Sequence, residues 1–162
     1  MRALPILACL ALAACGFQLR GTADVPFQTI YLPASAGGIG LELRRNIQAG
    51  TRAKVVDDAK EAEAVLEFTQ ESREKEILSL TGTGRVREFQ LRYRVGFRVH
   101  DGKGREFLPV STVVLVRDIS FNDTDVLAKE AEEQLLYRDM QSDMVQQILR
   151  RLAVAKPAAE PK

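Results

Sequence analysis

The chain has 162 residues, 46% of them apolar and 28% charged, with a formal net charge of +1. That balance belongs to a single globular domain and excludes both a disordered chain and a multi-span membrane protein. So small a net charge offers no bulk attraction to nucleic acid, and no nucleic-acid partner is expected.

The only long uncharged apolar stretch, residues 3–14, is too short to cross a hydrocarbon core of about 30 Å as a helix. With Met1-Arg2 before it and small residues at its end, it has the form of a signal peptide. Leu12-Ala13-Ala14-Cys15 resembles the bacterial lipobox. In lipoproteins of that kind the cysteine thiol is joined to diacylglycerol, cleavage falls just before it, and the new amino terminus is acylated. Cys15 is therefore the expected lipidation site. An ordinary secretory signal that ends in a chance cysteine is the alternative. Cysteine usage favours the lipid, because Cys9 leaves with the signal and a lone Cys15 has no internal disulfide partner in an oxidising compartment. Acylation also removes an otherwise exposed thiol. Gly16 stands where inner-membrane lipoproteins of enteric bacteria typically carry Asp, so the resemblance points to the outer membrane, with the protein on its periplasmic side. No cofactor besides the covalent lipid is expected.

Residues 16–26 read as a tether, so that 15–26 form the lipidated linker and 27–153 the folded domain. Residues 28–32 are rich in β-formers and are closed by Pro33 and Gly37-Gly38, which predicts a first strand. Ile39, Leu43 and Ile47 recur at a spacing of four before Gly50 and predict a short amphipathic helix. Val55-Val56 has room for a brief extended piece only. Residues 64–80 alternate around Leu66 and Phe68, and residues 85–100 alternate for nearly their whole length. Phe89, Leu91, Tyr93, Val95, Phe97 and Val99 share one face of that second run, and Gln90, Arg92, Arg94, Arg98 and His100 share the other. Thr81-Gly82-Thr83-Gly84 between the two runs predicts a hairpin turn. Asp101-Gly102-Lys103-Gly104 is a second turn, leading into a β-branched strand at 110–119. Asn122-Asp123-Thr124-Asp125 offers helix caps, and Tyr137, Met140, Met144, Ile148 and Leu152 line one side of a helix that ends near Leu152. Residues 154–162, rich in Ala, Pro and Lys, are expected to be disordered. The resulting fold class is α+β, a four-stranded mixed sheet with two helices packed on one face and a polar opposite face.

Nothing here assembles a catalytic set. The single histidine, His100, falls at a strand end and reads as a surface residue, and the acids of 57–76 show no distinctive spacing, so no enzyme is expected. Charge is distributed unevenly, however. Residues 57–76 hold eight acids and three bases, whereas 85–105 hold seven bases and two acids. A turn centred on Gly82-Thr83 sets Phe97 opposite Phe68, Val99 opposite Leu66, Arg98 opposite Glu67 and Arg94 opposite Glu71. It also sets Arg92 opposite Arg73, an unfavourable like-charge pair, with Lys75, Arg85 and Arg87 toward the turn. This end of the hairpin reads equally as a solvated charged tip or as a site for phosphate or carboxylate, which guanidinium groups bind with paired hydrogen bonds. Lys129 lies in the first turn of the last helix, where the dipole prefers an acid. It is either part of a local ion pair with Glu130, Glu132 or Glu133, or a second anion contact.

Cys15-Gly16-Phe17-Gln18-Leu19-Arg20-Gly21, Glu88-Phe89-Gln90, Leu127-Ala128-Lys129-Glu130 and Ile148-Leu149-Arg150-Arg151-Leu152 together resemble the LptE family of lipopolysaccharide-assembly lipoproteins. The resemblance spans nearly the whole chain after the signal. It implies an outer-membrane lipoprotein that plugs the lumen of the β-barrel translocon LptD, helps that barrel assemble and binds lipopolysaccharide, with two helices on a four-stranded sheet. It further implies lipopolysaccharide contacts at bases near the hairpin turn and at the lysine of Leu-Ala-Lys. Lys129 matches that lysine, while Thr81-Gly82-Thr83-Gly84 lacks an arginine and Arg85 is the nearest base. Lys129, Arg85, Arg87 and Arg92 are the candidate lipopolysaccharide-binding residues. The competing reading is an envelope lipoprotein that scaffolds the cell wall or other outer-membrane assembly.

Overall fold

The computed structural model describes residues 25–33 and 37–156. Cys15, the lipobox and most of the 154–162 tail lie outside the described residues. In chain order the elements are β1 (Thr29–Tyr31), α1 (Gly37–Gly50), β2 (Lys54–Val56), a 3-10 turn (Ala59–Glu61), β3 (Ala64–Leu80), β4 (Val86–His100), β5 (Glu106–Ser120) and α2 (Val126–Ala153). The strands form one mixed sheet in the order β2-β1-β3-β4-β5.

The sheet therefore has five strands, not the four expected. Lys54–Val56 lies parallel to β1, and α1 supplies the crossover that a parallel neighbour requires. Three residues carry no readable alternation, which is why this strand reads in the sequence as no more than an extended piece. β5 begins at Glu106, earlier than expected at 110, because Pro109 is tolerated inside an edge strand.

Apolar spacing decides the layering. On β4, Leu91, Tyr93, Val95, Phe97 and Val99 are fully buried, and Met140, Met144, Ile148 and Leu152 of α2 and Ile39, Leu43 and Ile47 of α1 join them in one core. Burial of each such side chain contributes about 1.5–3 kcal/mol. α1 closes where Thr51 donates from both its backbone N–H and its hydroxyl to the Ile47 carbonyl, at 3.0 and 2.9 Å. Val25 and Phe27 already belong to the core, and at the other terminus Ala155 is buried too.

The hairpin keeps the expected register only at its base. Leu66 faces Val99, Glu67 faces Arg98 and Phe68 faces Phe97, but beyond a bulge at Thr69 the pairing slips by one, so that Gln70 faces Gly96. Arg92 then lies opposite Glu74 and Arg94 opposite Ser72, while Arg73 faces Tyr93. The expected Arg92–Arg73 and Arg94–Glu71 pairs do not form. Strict alternation would have turned Glu74 and Glu76 toward the helices; the bulge turns them to the outer face instead and brings Ile77 opposite Phe89. A glycine accommodates the extra residue, since a Cβ at position 96 would stand 2.6 Å from Thr69 Oγ1.

Candidate functional site

Downstream of the bulge, the helix-facing side of the hairpin carries a polar network. Tyr93 donates its hydroxyl to Glu71 Oε1 at 2.7 Å, and burial, reinforced by that carboxylate, pushes its phenol well above the ordinary value. The Arg73 guanidinium lies 4.9 Å from the centre of the Tyr93 ring and 5.5 Å from that of Tyr137, and donates to Gln141 Oε1 at 2.8 Å. Gln141 and Ser142 in turn donate to the Glu42 carboxylate of α1 at 2.8 and 2.7 Å. One chain of contacts thus joins sheet, α2 and α1. Tyr93→Phe is expected to cost about 0.5–1.5 kcal/mol, the net worth of a hydrogen bond whose acceptor stays accessible to water. A urea titration with an unchanged midpoint would show the network to be idle.

At the tip, Thr81 donates its N–H to the Arg85 carbonyl at 2.7 Å and Gly84 donates to Thr81 at 2.9 Å. Gly84 has φ of 79°, a conformation that favours glycine. The loop before α2 is fastened to this end of the hairpin: Phe121 donates to the Arg87 carbonyl at 2.8 Å, its ring packs edge-on against Phe89 at 5.2 Å, and Arg85 reaches Asp123 at 3.5 Å. Lys129, in the first turn of α2, bonds Ser120 Oγ at 3.0 Å and Glu132 at 2.8 Å. Ser120 pairs with Glu88 in the sheet, and Arg87 reaches that Glu88 carboxylate at 3.2 Å. Asp125 caps the helix without a side-chain hydrogen bond.

Three of the four candidate bases, Arg85, Arg87 and Lys129, thus gather at one end of the molecule. Their availability differs. The Arg85 and Arg87 side chains are 74% and 63% exposed, whereas Lys129 is 21% exposed and held in a local ion pair. Arg92 stands apart on the outer face, 28% exposed and 3.6 Å from both Glu74 and Glu76. Arg85 and Arg87 are thus the more accessible cations at this end, while Lys129 shares its ammonium between Ser120 and Glu132.

The tip also presents apolar surface that charge patterning does not reveal. Ile77, Leu78 and Leu80 near the turn, and Val126 and Leu127 at the start of α2, are all exposed. They are exposed because the strands run past the ground the helices cover. The outer face of the sheet is likewise less polar than expected, since Val114 and Val116 of β5 are exposed there. On that face Arg98 holds Glu67 at 2.6 Å, the pair expected from the hairpin base, and its hydrogen bond lowers the Glu67 carboxyl below the usual range. Arg94 Nε is shielded and has no acceptor among the described residues.

Comparison with known proteins places this arrangement. The model of the family described as "LptE: Lipopolysaccharide-assembly" matches residues 27–152. The LPS-assembly lipoprotein LptE of Pectobacterium atrosepticum is 30% identical, over 96% of this chain and 86% of that protein; its namesake from Yersinia pestis is 33% identical, over 96% and 76%. Among solved structures, an uncharacterized lipoprotein B from Nitrosomonas europaea superposes with a TM-score of 0.74 at 47% identity, covering 85% of this chain and 90% of that one. The rare lipoprotein B of Shewanella oneidensis gives 0.67 at 29% identity, covering 77% and 93%. The chain belongs to the LptE family.

Proposed function

We propose that this chain is a non-catalytic lipoprotein of lipopolysaccharide transport, anchored in the outer membrane through acyl groups on Cys15 and seated as a plug in an LptD-type β-barrel. Membership of the family over residues 27–152 supports the transport role and disfavours a cell-wall scaffold. Lipopolysaccharide couples phosphates to acyl chains. The observation that carries its binding here is the juxtaposition, at one end, of exposed Arg85 and Arg87 with exposed Ile77, Leu78, Leu80 and Leu127. Guanidinium groups bind phosphate with charge-assisted hydrogen bonds, and apolar neighbours accept the first methylenes of the acyl chains. A charged, wet outer face also suits a polar barrel lumen.

Two measurements test this. A tagged chain isolated from detergent-solubilised outer membranes is expected to bring a large barrel protein with it; recovery of none sinks the plug. Arg85→Glu combined with Lys129→Glu is expected to weaken lipopolysaccharide binding at least tenfold, since each charged hydrogen bond is worth about 1.5–3 kcal/mol, while barrel recovery stays unchanged. Unaltered binding would return both bases to their local pairs with Asp123 and Glu132.

A further inference from the structure

At the end of the sheet opposite the hairpin tip, a cavity of about 730 Å³ opens where three connections meet. Its walls include Phe27, Val65 and Phe107, with Lys60, Glu63, Asp101 and Lys103 among the polar residues lining it. Phe27 and Phe107 meet edge to face at 5.1 Å. The volume falls in the range of sites that enclose a small ligand, about 300–1,000 Å³. Neither the lipopolysaccharide reading nor the polar network uses it.

Its charges are unevenly committed. Glu63 accepts the Gln28 N–H at 2.7 Å, and Asp101 accepts the N–H groups of Lys103 and Arg105 at 2.7 and 3.0 Å. Those backbone donors hold the Asp101 carboxyl below its usual range. His100 is also occupied, since its Nδ1 accepts from the Gly102 N–H at 2.9 Å. The ammonium groups of Lys60 and Lys103, by contrast, form no ion pair or hydrogen bond with the described residues. Among the described residues these two ammonium groups are tied by no hydrogen bond and stand beside an apolar wall, with the Lys103 charge near enough to Asp101 to help lower its carboxyl.

Position selects the occupant. Val25, where the described residues begin, lies ten residues beyond Cys15, a reach of at most about 35 Å. Pro26 and Phe27 are themselves part of the lining. The mouth is therefore on the part of the fold that a lipid on Cys15 keeps near the bilayer, while the tip lies the length of β3 away, about 55 Å for its 17 residues. We propose that this cavity is a membrane-docking site that takes a phospholipid headgroup from the leaflet holding the anchor, its phosphate on Lys60 and Lys103 and its glycerol and first methylenes against Phe27 and Phe107. The proposal rests on acylation of Cys15. Before a barrel receives the domain, a headgroup held there fixes the angle at which it stands on the membrane, which the tether alone leaves free.

The test compares the acylated protein in phosphatidylethanolamine–phosphatidylcholine nanodiscs with the same protein in dodecyl maltoside micelles, which contain no phosphate. Backbone amide exchange at residues 60–63 and 100–105 is expected to be at least fivefold slower in the discs. Lys60→Glu with Lys103→Glu is expected to remove that difference, and Arg85→Glu with Arg87→Glu to preserve it, both variants keeping full protection along β4. Equal exchange in discs and micelles overturns the proposal. So does a difference that survives the lysine reversals, or one that arises only when lipopolysaccharide is added. A chain that never enters the discs for want of acyl groups would overturn the Cys15 reading instead.

Discussion

Gly96→Val is expected to lower the stability of the domain by about 1–3 kcal/mol, the usual cost of forcing extra methylenes into a close-packed site. The nearest atom to a Cβ at that position is Thr69 Oγ1 at 2.6 Å, with Gln70 Cβ at 3.4 Å. Thr69 is β-branched and stiff at χ1, so the clash is not relieved by swinging a long side chain aside. The bulged strand must move, and with it the pairing that turns Arg73 toward Tyr93 and Glu74 toward Arg92. Thermal melts followed by circular dichroism should fall by several degrees. Adding Thr69→Ala to Gly96→Ala should recover part of the loss suffered by Gly96→Ala alone, because it deletes the clashing oxygen. A Gly96→Val protein that melts with the wild type would mean that the bulge does not need its glycine.

Cys15→Ser should abolish incorporation of labelled palmitate altogether, and the uncut precursor should accumulate. Serine presents no thiolate for transfer of diacylglycerol, and acylation and cleavage stop together. The loss is large because stable anchoring needs at least two hydrophobic signals, each buried methylene contributing about 0.8 kcal/mol. Residual label on the serine protein would place the lipid elsewhere and remove the basis for the anchored plug.

Elements with long, half-buried repeats were legible before any coordinates. β4 shows alternation over 15 residues because one face meets the helices and the other meets water. α1 shows its spacing because Ile39, Leu43 and Ile47 all reach the core. β2 was illegible as a strand, since three residues paired to β1 leave no period to read. The bulge was illegible for another reason: Thr69 and Gln70 resemble any other exposed strand residues, and the only hint lay on the partner strand, in a glycine at position 96. Missing it misplaced Arg92 beside Arg73, when the real neighbours are Glu74 and Glu76. At the candidate site, the bases near the turn were visible as charge, but Arg92 is held by acids that strict alternation did not assign, whereas Lys129 pairs with Glu132, one of the three acids its helix position offers. The exposed leucines beside them were hidden by their own chemistry, because an apolar residue in a strand normally signals burial.

β5 has β4 on one side and no strand on the other among the described residues. A row of open amide and carbonyl groups 15 residues long invites a second chain to stack alongside, the first step toward aggregates. Pro109 interrupts that row by removing one donor, and it does so beside exposed Val110, where apolar contact would otherwise favour such stacking. The strand is thus guarded beside its most exposed valine, where a second copy would otherwise stack most readily.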